Sequence, residues 1–245
     1  MDPGPFLFCA LVITIAFAVR STAGFGSATL AVPLTALVLP LQTVIPVVAS
    51  LQLVSMADHG ARSWGIVSWR EMRRIAPFIV TGVIAGVYLF ARLEDAIIGK
   101  ALGVFVIAYA LWALATAKRT AEPPRHVPWP VSAVLNTGGA VIGALFGGAS
   151  SPFYAIYLRA LRLSRDAFRA TMNMIMLVQV VLRLVGYSGL GIVDAYALAL
   201  TLLVLPFMLL GARLGDLVAE RVVQETFNRI LGAVLLMSGA ALIVK

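Results

Sequence analysis

Charge is what this sequence has least of. Of its 245 residues only 12% are charged, against about 25% in ordinary soluble domains, and 61% are hydrophobic. Three long stretches carry no charge at all: Ser21 to Ala57, Val127 to Leu158 and Ala195 to Ala212. A soluble fold of this size could not hide that much apolar surface in one core. Apolar runs longer than about 18 residues are the signature of membrane-spanning helices. Cysteine is almost absent too. Cys9 stands alone, which excludes an intrachain disulfide, a CxxC redox pair and a thiolate metal cage. The two histidines, His59 and His126, are too few and too far apart for an ordinary metal site, so no metal or other cofactor is expected. The net charge of +8 would suggest nucleic acid for a soluble chain. In a membrane protein Lys and Arg gather in cytoplasmic loops instead, so the lipid bilayer, and no nucleic acid, is the expected partner. Met1-Asp-Pro-Gly-Pro lacks the positive region of a secretory signal, so Phe6–Val19 reads as a retained helix.

What is there is a repeat. Pro77-Phe78-(x3)-Gly82-(x3)-Gly86 recurs as Pro206-Phe207-(x3)-Gly211-(x3)-Gly215, and Leu102-Gly103 recurs as Leu231-Gly232 at the same offset of 129. Earlier in each half, Gly24-Phe-Gly-Ser27 lies against Gly147-Gly-Ala-Ser150 at an offset of 123. The first repeat spans 1–117, a polar, Pro-rich linker 118–130, and the second repeat 131–245. Each half reads as five segments. In the first they are Phe6–Val19, Ala28–Leu39, Val44–Met56, Ile75–Phe90 and Ile97–Ala117. In the second they are Val131–Leu145, Pro152–Leu161, Ala170–Gly186, Ala195–Ala212 and Ile230–Val244. The second member of each set is short: a twelve-residue helix covers about 18 Å of a ~30 Å hydrocarbon core. Segments one and two of each half therefore read as a re-entrant hairpin with Gly and Ser at a tip near the midplane, followed by three transmembrane helices.

Lys and Arg set the orientation. Four basic clusters (Arg62 to Arg74, Lys118 to Arg125, Arg159 to Arg169, Arg213 to Arg229) hold 14 of the 19 basic residues. Placed in the cytoplasm, they leave Arg92, Lys100 and Lys245 outside and Arg20 and Arg183 within the membrane. Five segments is an odd number, so the halves run in opposite senses, with both termini outside. The expectation is an all-α polytopic membrane protein built as an inverted repeat. Inverted repeats with broken helices are the build of secondary transporters, whose site lies at the repeat interface.

The tips carry the candidate chemistry. At the first stand Arg20-Ser-Thr-Ala-Gly-Phe-Gly-Ser27, with Gly24, Gly26 and Ser27 at the turn; at the second stand Gly147, Gly148, Ser150 and Ser151, with Pro152 opening the returning helix and Ser150 or Ser151 as its cap. Glycine lets the backbone turn and brings N–H groups close to a ligand. Each returning helix offers free N–H donors at the positive end of its dipole. Two opposed tips would cradle a small anion; close helix packing is the alternative use of Gly and Ser, and the better one for Gly82, Gly86, Gly211 and Gly215. Arg183, inside the apolar span Met172 to Val185, costs about 2.5–3.5 kcal/mol to insert and needs a polar surrounding. An anionic substrate would supply it, since guanidinium binds oxyanions through a planar fork. Snorkelling to the outer interface, or pairing with Asp58 or Asp194, is the alternative. Arg20 is open to the same two readings. Gln52 and Asn173, each two residues after Ser50 or Thr171, form a quasi-equivalent pair facing one site, or serve as interhelical hydrogen-bonding groups. Trp64 and Trp69 fit an interfacial belt.

These residues resemble the TauE/SafE family of sulfite exporters, through Gly24-Phe-Gly-Ser-Ala-Thr-Leu-Ala-Val-Pro33, Gly143-(x3)-Gly147-(x4)-Pro152 and Arg169-Ala-Thr171. The likeness covers nearly the whole chain. It departs at Ser27-Ala28 and Ala149-Ser150-Ser151, where members often carry a run of glycines. The resemblance implies a multi-pass carrier in the bacterial inner membrane that exports a small sulfur-containing anion such as sulfite, a sulfonate or a sulfoacetate-like compound. A homodimer is compatible with it. A membrane enzyme would need paired acids, a metal cluster or a nucleophile with a base. Asp58-His-Gly-Ala-Arg62 lacks a second acidic motif, and Ser150 and Ser151 lack a histidine at their depth. A scaffold would explain the helices and not the polar tips. A channel uses helix ends and arginines as a carrier does.

Overall fold

The computed structural model describes residues 3–23, 26–116, 128–218 and 235–244. Among them the secondary structure is helical throughout. The helices are α1 (Pro3–Ala23), α2 (Ser27–Thr35), α3 (Leu41–Arg62), α4 (Trp69–Arg92) and α5 (Asp95–Thr116) in the first half. The second half has α6 (Trp129–Leu145), α7 (Ser151–Ala160), α8 (Arg165–Gly189), α9 (Ala195–Val218) and α10 (Leu235–Val244). Each of the ten expected segments coincides with one helix; Gly24, most of the linker and the start of the tenth segment lie outside the described residues.

Among the described residues five helices are long and apolar enough to cross a membrane: α1, α4, α5, α8 and α9. Their outward faces carry large apolar side chains such as Leu202, Val104, Val185 and Ile84, which suit lipid and would be an aggregation hazard in water. By contrast α2, with 9 residues, and α7, with 10, reach only about 14–15 Å and cannot cross.

Two arms differ from expectation: α2 ends at Thr35 rather than Leu39, and α1 is longer than expected. Helix α1 does not stop at Val19 but runs on through Arg20 to Ala23, 21 residues or about 31 Å. A charge inside an apolar run reads as a boundary in sequence. Here Arg20 is buried, 7% exposed, and donates to the Asn173 side chain, so the helix continues past it.

Packing exchanges the two halves. Helix α1 lies along α9 of the other half, and α6 along α4. The repeated glycines make these contacts. A Cβ at Gly82 would lie 2.6 Å from the Thr137 carbonyl oxygen, and one at Gly86 2.7 Å from that of Val141. Gly211 and Gly215 press in the same way on the carbonyls of Thr14 and Ala18. Thr14 and Thr137, like Ala18 and Val141, are offset by 123, so equivalent glycines meet equivalent carbonyls. The small residues let backbones touch, where dispersion and packing rather than the hydrophobic effect hold helices together. Thr14 adds a hydrogen bond to the Phe207 carbonyl oxygen at 3.3 Å. Helices α3 and α8, each the third of its half, pack on each other, and each hairpin packs on the third helix of its own half.

Candidate functional site

Both tips turn on backbone that favours glycine. Gly26, which precedes α2, has φ +96°, and Gly148, which precedes α7, has φ +118°. An L side chain is strained there, which accounts for the glycines independently of any ligand. Pro152 lies in the first turn of α7, where its missing N–H costs nothing. Ser150 stands at the cap position, but its side chain does not cap the helix. Its hydroxyl donates instead to Gln179 Oε1 at 3.0 Å. Ser27 and Ser151 are buried as the first residues of α2 and α7.

The tips pass each other rather than meeting end to end. Gly148 sits against Ala28 in the first turn of α2 and against the Gln52 side chain of α3. Gly147 reaches further along, against Val32 and Ile45.

Arg183 stands beside the second tip, on α8. It is 1% exposed, which excludes snorkelling to an interface. Its Nη1 donates to the Gly143 carbonyl oxygen at 2.5 Å and its Nη2 to Gln52 Oε1 at 3.0 Å. Its Nε is buried without a partner. None of these acceptors is charged. Asp194 is engaged elsewhere, accepting from the Ala197 backbone N–H at 2.7 Å to cap α9, and the Asp58 side chain lies outside the described residues. Among the described residues this guanidinium meets neutral dipoles, an arrangement that could take an oxyanion through the planar fork.

Around it runs a polar chain that the sequence did not single out as a unit. Gln179 Nε2 donates to the Tyr154 hydroxyl, and that hydroxyl donates to the Asn136 carbonyl oxygen at 3.1 Å. Asn136 bonds back to Ser132, through its backbone oxygen at 2.7 Å. Tyr187, fully buried, donates to the Ala144 carbonyl oxygen. These groups hold the incoming arm α6, the returning arm α7 and α8 in fixed register. Tyr154 and Tyr187 gave no signal in sequence, because a tyrosine in an apolar run reads as core or interface until its hydroxyl partner is known.

Arg20 and Asn173 lie apart from this cluster. Arg20 Nη2 donates to Asn173 Oδ1 at 3.4 Å, and Asn173 Nδ2 to the Met56 carbonyl oxygen at 3.5 Å. Gln52 and Asn173 therefore serve two different arginines rather than one common place. Nη1 of Arg20 is buried and unpartnered.

Towards the arginine-rich end, the Tyr157 hydroxyl donates to Glu71 Oε2 at 2.7 Å, and Glu71 faces Arg74 at 3.9 Å. This ties the far end of α7 to α4. Trp64 and Trp69 pack together there, their rings tilted by 51° with centroids 4.4 Å apart, Trp64 being exposed as an interfacial residue would be. Among the described residues no three of His, Cys, Asp and Glu come together as a metal site.

Comparison with known proteins points to a membrane transporter. The family model of the sulfite exporter TauE/SafE matches residues 9–242. A probable inner membrane transporter protein, TsaS of Comamonas testosteroni, is 26% identical over 189 residues, 75% of this chain and 76% of that protein. No solved structure matches. With the family model spanning both halves, both tips and both buried arginines, the chain belongs to the TauE/SafE family.

Proposed function

We propose that this membrane transporter carries a small sulfur-containing oxyanion, such as sulfite or a sulfonate, out of the cell across the bacterial inner membrane. The observation that carries the reading is Arg183: a buried guanidinium held, among the described residues, by a carbonyl and an amide oxygen, beside a glycine-rich tip. A tetrahedral or pyramidal oxyanion would take the fork of the guanidinium, and the backbone N–H groups opening α7 and α2 would face its remaining oxygens. Gly26, Ser27, Gly147, Gly148, Ser150, Ser151, Gln52 and Arg183 form the proposed surround, and Gly24, in the first tip, joins them by its place in sequence. The family description, a sulfite exporter, and the relative's description as a probable inner membrane transporter support the substrate class and the location.

The contact pattern supports an inverted repeat. Equivalent glycines on α4 and α9 meet equivalent carbonyls on α6 and α1, and in each pair residue numbers rise in the same direction, so the paired helices run parallel. Parallel pairing is what the expected orientation requires: α1 and α9 both lead inward, α4 and α6 both lead outward. Flux of radiolabelled sulfite into liposomes containing the purified protein tests the substrate. Transport of sulfite or methanesulfonate that saturates is the expected result. Transport of neither, by protein that is folded and inserted, would overturn the reading.

A further inference from the structure

The two buried arginines occupy matching places. At the offset of 123 that aligns the tips, Arg20 in the first hairpin corresponds to Gly143 in the second. Arg183 sends its guanidinium to the Gly143 carbonyl oxygen, so each hairpin has a guanidinium one turn ahead of its tip. In the first hairpin it comes from the hairpin itself, and in the second from α8. Each is held by a side-chain amide on the third helix of the opposite half: Asn173 of α8 for Arg20, Gln52 of α3 for Arg183. Each keeps one buried nitrogen without a partner, Nη1 in Arg20 and Nε in Arg183. A serine follows each tip at the same offset, Ser27 and Ser150, both buried.

The two places are separated in depth. Asn173 and Arg183 are ten positions apart on α8, about 15 Å along its axis, and the α3 residues they bond, Met56 and Gln52, are four apart, about 6 Å. Asn173 lies towards the arginine-rich end where α8 begins at Arg165, and Arg183 towards the other end.

We propose that the protein holds two oxyanion stations in series, one at Arg20 with Asn173 and one at Arg183 with Gln52, between which the anion is handed as the tips shift. This rests on the reading of the chain as an oxyanion carrier. Neither site has a carboxylate partner among the described residues, so either can accept an anion without first breaking an ion pair. The holding amides stand on different helices, α8 and α3, so an ion at one station meets a different arginine and a different amide from an ion at the other.

Equilibrium binding of radiolabelled sulfite to the full chain in lipid nanodiscs, together with sulfite exchange in liposomes, tests this. Arg20→Gln and Arg183→Gln should each block exchange yet each retain saturable binding, weakened about tenfold or more, while the double variant binds nothing. Arg20→Lys keeps the charge but loses the fork, and should reach normal membrane abundance with weakened binding. Complete loss of binding in either single Gln variant would overturn the two stations and leave a single site. Unchanged binding and exchange in Arg20→Lys would mark Arg20 as a structural charge and overturn them as well. A wild-type protein that binds neither sulfite nor methanesulfonate would overturn the carrier reading itself, and the stations with it.

Discussion

Arg183 concentrates the residue-scale chemistry. Its two acceptors are neutral, so Arg183→Gln orphans no carboxylate among the described residues; the cost is a carbonyl and an amide oxygen with one partner fewer, about 1–3 kcal/mol each at most. The variant should therefore reach the membrane in near-normal amounts, with affinity for sulfite lowered tenfold or more, and Arg183→Lys should fall between. Immunoblotted membrane abundance set beside binding affinity checks both. Gly147 behaves differently. A Cβ there would lie 2.9 Å from the Val32 side chain on backbone with φ +72°, so Gly147→Val should unseat the tip and lower thermal stability as well as transport. A melting curve of the purified variant unchanged from wild type would contradict that. At this scale the sequence was half legible. It exposed Arg20, Arg183 and the tip glycines because charge and glycine are conspicuous in an apolar run. It hid Tyr154, Tyr187 and the Ser150–Gln179 bond, because a polar group's meaning depends on a partner that is distant in the chain.

Helices in this chain pair through backbone, and the glycines of α4 and α9 are where that pairing is decided. Gly86 and Gly215 face carbonyl groups rather than flexible side chains, so an added side chain has no easy way to be accommodated. Gly86→Leu and Gly215→Leu should each destabilise by about 1–3 kcal/mol or more, read as a lower melting temperature or loss from the membrane. Gly138, with open space around its Cβ position, should tolerate alanine without loss. The element boundaries were legible where proline, glycine and charge clusters punctuate the chain. They failed at the end of α1, where Arg20 looked like a stop. Burial against Asn173 lets the helix run one turn further, and only the tertiary contact could reveal that.

The described structure is α3 packed on α8, with each hairpin against the third helix of its own half and the first helix of each half clasped by the fourth of the other. That exchange was foreshadowed by the two offsets, 129 for the packing glycines and 123 for the tips, although no offset could say that the tips pass one another. If the halves are inverted, both termini lie outside and the 118–130 linker inside. A reporter active only in the cytoplasm should be silent after Lys245 and active in the linker, and the reverse pattern would break the layout. An inside-negative potential contributes about 2.3 kcal/mol per charge per 100 mV to the exit of an anion, roughly 50-fold by the relation of ~1.4 kcal/mol per tenfold. Export should thus follow the imposed potential in sodium-free medium, and strict dependence on sodium at fixed potential would contradict it. The most direct measurement of the central claim is sulfite counterflow in liposomes loaded with equal amounts of folded wild-type or Arg183→Gln protein. The account predicts rapid, saturable counterflow with the wild type and none above background with the variant. Equal counterflow in the two would contradict it.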